Sequence, residues 1–127
     1  MGIKTKEIGY MAIAGVQRDK LTPELLLKEI ADYFNLTVER IKSSNRKRHD
    51  NTVVARHVYF YLAYKLIYSP YWKLGYSYRS LAEVVNKNHS TMYIAIKTIA
   101  NDMDQDKQLE KTILKLDKQI KEKYEIF

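Results

Sequence analysis

The segment Asn86-Lys87-Asn88-His89-Ser90-Thr91 carries the side chains best suited to binding chemistry. At a helix start, such amide, imidazole and hydroxyl groups can reach base edges, and the unpaired backbone N–H groups there can hold a phosphate. A second cluster, Arg46-Lys47-Arg48, supplies the positive charge that a phosphate backbone requires. The two clusters favour nucleic-acid binding over catalysis.

Composition narrows the class of protein further. The 127 residues suffice for one domain, and 46% of them are hydrophobic, enough for a real core. Net charge is +7, which suits a polyanionic partner. There is no Cys, and the three His residues show no metal-ligand spacing, so we expect no disulfide, no metal site and no cofactor.

Membrane insertion and catalysis are both disfavoured. The longest apolar stretch, Val53 to Tyr68, contains Arg56, His57 and Lys65, which makes it too polar for a spanning helix. No convincing secretory signal precedes it, so we expect a cytoplasmic protein, either bacterial or encoded by a phage in a bacterial host. Acidic residues are scattered and no nucleophile–base spacing stands out, so we expect no catalytic residues and no enzyme.

Cap and stop signals predict an all-α fold. Thr22-Pro23-Glu24 is a helix start, and Asn35 is a plausible stop. Thr37 should cap a second, short helix. From Thr52 to about Tyr68 the chain is apolar on most faces, which indicates a central helix packed by its neighbours.

The binding segment falls within a helical hairpin. Ser77 or Ser80 should cap a short helix, Asn86-Lys87-Asn88 makes a turn, and Asn88 caps a longer helix from His89 to about Met103. A short helix, a short turn and a longer helix with a polar start form the helix-turn-helix pattern. The pattern alone is weak, because any helical hairpin shows it.

Three regions flank or interrupt this domain, which we place at residues 21–103. Residues 1–20 form an N-terminal arm whose structure the sequence leaves open. Tyr71 to Tyr76 is an aromatic loop, either a partner surface or, more simply, a flap on the core. Residues 104–127 are strongly amphipathic, and we expect this tail helix to pack on its own domain, over the aromatic loop, rather than to form a short coiled coil. The protein is then a monomer or a weak homodimer through that helix.

The order of these elements is specific enough to suggest a family. Leu21-Thr22-Pro23-Glu24, Ala31-Asp32-Tyr33-Phe34, the basic cluster, Ala55-Arg56 and His89-Ser90-Thr91 follow one another as in the C-terminal DNA-binding domain of the bacterial replication initiator DnaA. The chain resembles that domain over about residues 21–103. The resemblance implies a Trp-repressor-like helix-turn-helix that binds double-stranded DNA in replication initiation.

The resemblance also implies roles for individual residues. Arg46, within the basic cluster, matches an arginine that enters the minor groove, and Arg56 matches a basic residue at the DNA surface. Lys87, Asn88, His89, Ser90 and Thr91 match the turn and helix end that meet the major groove. For His89 the alternative is a capping or packing role, and for Arg56 it is a salt bridge to a nearby carboxylate.

The chain departs from the family pattern in several places. A single Asn86 replaces a glycine pair, Asn88 replaces an Asp, and the stretch from Ile67 to Tyr76 is longer. Because Asn can both donate and accept, we expect a different preferred DNA sequence, with adenine opposite Asn88. No Gly-rich phosphate loop occurs, so we expect a free-standing relative without the family's ATPase module.

Two functions remain open on this evidence. The first is a sequence-specific DNA binder that acts in replication initiation, in its regulation, or in transcription control. The second is an adaptor that binds a replication protein and has only vestigial DNA contact, which the altered turn and the aromatic loop would allow.

Overall fold

The computed structural model describes residues 20–43, 51–69 and 75–126. Arg46, Lys47, Arg48 and the expected N-terminal arm therefore lie outside the described residues. Six helices occupy the described ranges: α1 (Pro23–Phe34), α2 (Val38–Lys42), α3 (Asn51–Leu66), α4 (Tyr78–Glu83), α5 (His89–Gln105) and α6 (Lys107–Tyr124). The described ranges contain no β-strand, only one isolated bridge between Tyr68 and Tyr76, and the predicted all-α class is confirmed.

Local side-chain chemistry sets the first two helices. The Thr22 hydroxyl accepts from the Leu25 N–H at 3.1 Å, and Pro23 takes the first helical position. Asn35 ends α1 in the left-handed conformation at φ 58°, which Asn adopts more readily than most residues. Thr37 then caps α2 in the same way, through the Arg40 N–H. The predicted starts and the stop are confirmed.

The third helix is the centre of the domain. It packs against α1, α2, α4 and α5, and it buries eight of its residues, among them Val58, Tyr59, Phe60 and Leu62. A helix surrounded on this many sides must be apolar around most of its circumference. The prediction of a central helix from Thr52 onward is therefore confirmed.

The backbone that follows α3 crosses close to the backbone that precedes α4. The Ser69 N–H donates to the Tyr76 carbonyl at 3.1 Å, and the Tyr76 N–H donates to the Ile67 carbonyl at 3.0 Å. A Cβ on Gly75 would lie only 2.7 Å from the Ile67 carbonyl oxygen, so this crossing requires glycine. Residues 71–74, most of the predicted aromatic loop, lie outside the described residues.

The tail helix packs on its own domain. Ile113, Leu116 and Ile120 are buried against the core, as the amphipathic pattern predicts. Among the described elements it packs on α5 and α1, and Lys123 and the Tyr124 hydroxyl bind the Glu29 carboxylate of α1. Asp106 alone separates α5 from α6, and it caps α6 by accepting from the Gln108 and Leu109 N–H groups.

Candidate nucleic-acid interface

A left-handed residue makes the turn between α4 and α5. Asn86 has φ 59°, a conformation that glycine and Asn tolerate best. The Asn86 N–H donates to the Glu83 carbonyl, and the Lys87 N–H donates to the Ala82 carbonyl, both at 3.0 Å. Asn86 alone therefore adopts the left-handed turn conformation at the place where the family pattern has a glycine pair.

Asn88 begins α5. Its Oδ1 accepts from the Thr91 N–H at 2.9 Å and from the Thr91 hydroxyl at 3.1 Å. Both lone pairs of that oxygen are used, so only the amide N–H groups are left to face a ligand. Bidentate pairing with adenine needs the oxygen as acceptor, so this geometry does not support the adenine expectation.

The residues that follow the cap are open to solvent. His89, Ser90 and Thr91 are all exposed, and the capping role belongs to Asn88 rather than to His89. Their hydrogen-bonding groups therefore surround the start of a helix of 17 residues. The helix start can offer its unpaired N–H groups to an anion.

The exposed side of α5 extends beyond the predicted residues. Met92, Ala95 and Ile99 are buried, and at about 100° per residue Ser90, Ile94 and Lys97 lie on the opposite side of the helix. All three are exposed, Ile94 at 63%. Sequence reasoning missed Ile94 and Lys97, although their spacing from Ser90 was sufficient to place them on the same side of the predicted helix.

An aromatic ring lies beside this face. Tyr93 is half exposed, and the Lys97 ammonium lies 4.6 Å from the centre of its ring. That distance is within the range of a cation–π contact. The contact restrains two long side chains at the edge of the exposed face.

Arg56 is placed inside the domain. It is only 5% exposed, and its guanidinium donates to the Ile41 carbonyl at 2.9 Å and to the Ser43 carbonyl at 2.7 Å. Burial lowers the pKa of this guanidinium. These carbonyls end α2, where unpaired acceptors and the helix dipole favour a cation. The structure gives Arg56 backbone carbonyl partners, and its DNA contact stays a prediction.

The Arg56 contacts also bear on the basic cluster. Ser43 is the last described residue before the segment that carries Arg46, Lys47 and Arg48. Arg56 therefore fixes the point from which that segment leaves the domain.

Tyr59, another polar residue of α3, forms a hydrogen bond with the helix-turn-helix. The Tyr59 hydroxyl is buried and donates to the Leu81 carbonyl of α4 at 2.7 Å. Burial, with a smaller contribution from Glu24, raises the pKa of Tyr59 well above its ordinary value, so the donor proton is retained. This bond fixes α4, and through it the turn that precedes α5.

His57, on α3, lines a groove. His57 lies beside Phe34, Val54 and Asp102 in a cavity between α1, α3, α5 and α6. Burial, and then the Arg56 charge, lower the pKa of His57, while Asp102 opposes them. Within the described ranges no cluster of three potential metal ligands occurs, and no helix is long and apolar enough to cross a bilayer.

Comparison with known proteins identifies the family. The model of the bacterial DnaA protein helix-turn-helix matches residues 23–99. The chain belongs to this family. It is 32% identical over 102 residues to the chromosomal replication initiator protein DnaA of Caldanaerobacter subterraneus subsp. tengcongensis. The corresponding protein of Geotalea daltonii is 28% identical over 100 residues. These matches cover 80% and 79% of this chain but only 21% of either relative.

The match covers all of α4 and the first eleven residues of α5, His89 to Ile99. All of α6 falls beyond the family match. The relatives extend far past the matched part, as the chain spans about one fifth of their length.

Proposed function

We propose that the protein binds double-stranded DNA sequence-specifically, with the start of α5 in the major groove, and that it acts in replication initiation or its regulation. The observation that carries the proposal is the exposed side of α5, which faces away from the core and begins at a capped turn. A helix-turn-helix reads base edges with the first residues of its second helix. The relatives' name supports replication rather than transcription control, and a DNA target places the protein in the bacterial cytoplasm.

Individual residues have distinct roles in this proposal. His89 and Ser90 reach base edges, and the Asn88 amide N–H groups hold phosphate or an acceptor on a base. The Thr91 hydroxyl donates its proton to Asn88 Oδ1, so its oxygen accepts from a donor on a base. Lys97 lies about two turns further along and meets the phosphate backbone. Arg46 enters the minor groove, while Lys47 and Arg48 contribute phosphate contacts. Lys87 lies in the turn, and Arg56 acts by positioning.

Salt dependence tests the proposal directly. We expect the logarithm of the binding constant for duplex DNA to fall linearly with the logarithm of salt concentration, by roughly 0.9 per neutralised phosphate. Lys97→Gln should reduce that slope by about 1, whereas Lys118→Gln should leave it unchanged. Lys118 is a matched control, because it is also an exposed lysine but lies on the tail helix.

Two outcomes would contradict DNA binding by this face. The first is no binding at low salt, which would favour the adaptor alternative. The second is an equal loss of slope for Lys97→Gln and Lys118→Gln, which would indicate attraction by net charge without a defined interface.

A further inference from the structure

Ile94 is the most exposed large hydrophobic side chain in the described part of the protein, at 63%. It belongs neither to the core nor to the partly buried residues that surround the core. A single exposed apolar residue is ordinary on a protein surface. Its position is what makes Ile94 informative, because it lies between Ser90 and Lys97 on the side of α5 that faces away from the core.

We infer that Ile94 is a specificity-determining residue that contacts the C5-methyl group of a thymine in the major groove; this inference rests on the proposed function. Major-groove base edges present mainly hydrogen-bond donors and acceptors, and the thymine methyl is the apolar feature by which they are read. Ile94 follows Ser90 by four residues and so lies one helical turn, about 6 Å, further along the groove.

The type of side chain fits this role. Isoleucine on a helix has one strongly preferred χ1 rotamer, so little side-chain freedom is lost when it contacts a base. Neighbouring side chains supply the polar contacts on either side, with the Ser90 hydroxyl before it and the Lys97 ammonium after it. The exposed face of α5 therefore combines polar, apolar and charged groups, as a surface that reads base edges must, and it is not an apolar patch.

The experiment removes only the C5-methyl group of thymine from the DNA. A preferred duplex is first selected from a random pool with the unaltered protein, and each thymine is then replaced singly by deoxyuridine, which lacks only the C5-methyl. We expect one or two positions at which the dissociation constant rises about fourfold, the value for the loss of one buried methyl-sized contact.

Variants assign this effect to the side chain. Ile94→Ala should bind the selected duplex about fourfold or more weakly and should be indifferent to deoxyuridine at that position. Ile94→Val, which retains branched methyl groups, should keep part of the discrimination. Leu114→Ala is the matched control, since Leu114 is 57% exposed but lies on α6, and it should behave like the unaltered protein. Thermal unfolding checks that all variants are folded.

The outcomes distinguish the role of Ile94 from the proposed function on which it rests. Salt-dependent binding combined with tolerance of deoxyuridine at every thymine overturns the role of Ile94 and leaves DNA binding intact. Identical deoxyuridine profiles for the unaltered protein and Ile94→Ala also overturn it. No DNA binding at all overturns the proposed function and this inference together.

Discussion

Replacement of Arg56 by methionine tests how the central helix holds the chain before the basic cluster. Methionine keeps much of the packed volume but removes the two donors to the Ile41 and Ser43 carbonyls. A hydrogen bond from a charged donor contributes about 1.5–3 kcal/mol net. The gross loss is therefore about 3–6 kcal/mol, and relief from burying a cation offsets part of it. We expect the free energy of unfolding to fall by about 2–4 kcal/mol.

A lysine at the same position separates charge from geometry. Arg56→Lys retains the cation, but a single ammonium cannot reproduce the planar fork that serves two carbonyls. We expect a loss of about 1–2 kcal/mol, because roughly one bond remains. The control is Lys65→Met, which removes one exposed positive charge from the same helix and should change stability by less than about 0.5 kcal/mol.

Urea unfolding followed by circular dichroism measures these differences, and DNA affinity is measured separately where each variant is fully folded. The positioning role is refuted if Arg56→Met unfolds at the same urea concentration as the unaltered protein. If that variant also binds DNA more weakly than Lys65→Met, a direct contact of Arg56 with DNA, as the family resemblance implies, is the better account.

Four further outcomes follow from the described contacts. Asn88→Asp should preserve the cap, with less than about 0.5 kcal/mol change in urea unfolding, while it alters the sequence selected from a random duplex pool; an unchanged sequence would exclude base reading by the Asn88 amide. Asn86→Gly should be nearly neutral in thermal unfolding and Asn86→Ala should cost about 1 kcal/mol; equal stability of the two would contradict the left-handed turn. Because burial depresses the pKa of His57, the unfolded chain binds more protons below the ordinary value near 6.5. Stability should therefore fall as the pH drops below about 6.5, and less steeply in His57→Gln. Ile120→Ala, at a site 2% exposed, should cost about 2–4 kcal/mol in urea unfolding, whereas Leu114→Ala should cost less than about 0.5 kcal/mol; similar costs would contradict the packing of α6.

Most helix starts could be predicted from sequence because capping is local. Thr22, Thr37, Ser77 and Asn88 each accept from a backbone N–H three residues later. The residue type and the apolar pattern that follows it contain nearly all of that information. The same reasoning predicted Asn35 as the end of α1, since the left-handed C-terminal residue is also a local feature.

Partners that lie far apart in sequence could not be predicted. Glu29 and the Tyr124 hydroxyl are 95 residues apart and meet only because α6 crosses α1. The amphipathic pattern indicates that a face of the tail is buried but not which surface covers it. The burial of Ile113, Leu116 and Ile120 agrees with that pattern, while packing over the aromatic loop stays a prediction, because most of that loop lies outside the described residues.

In the candidate site too, local features could be predicted from the sequence, whereas contacts between distant residues could not. The turn, the cap and the exposed start of α5 follow from the residue types at 86–91. Ile94 was overlooked because the predicted binding residues of α5 end at Thr91, and a hydrophobic side chain has no charge or hydrogen-bonding group that would mark it as a contact. Arg56 has the residue type of a DNA contact, but only the packing of α2 on α3 reveals the carbonyls that it satisfies.

Two polar side chains of the central helix, Arg56 and Tyr59, connect the proposed DNA-binding elements. Arg56 satisfies carbonyls at the end of α2, and Tyr59, three residues later, satisfies the Leu81 carbonyl of α4. Residues three apart lie within one turn of a helix, so one turn of α3 holds both the end of α2, which leads to the basic cluster, and α4 of the helix-turn-helix. In the proposed complex these two elements occupy adjacent grooves of one duplex. Their separation must therefore match the groove spacing of DNA, and a rigid, buried turn of α3 maintains that match better than exposed loop contacts could.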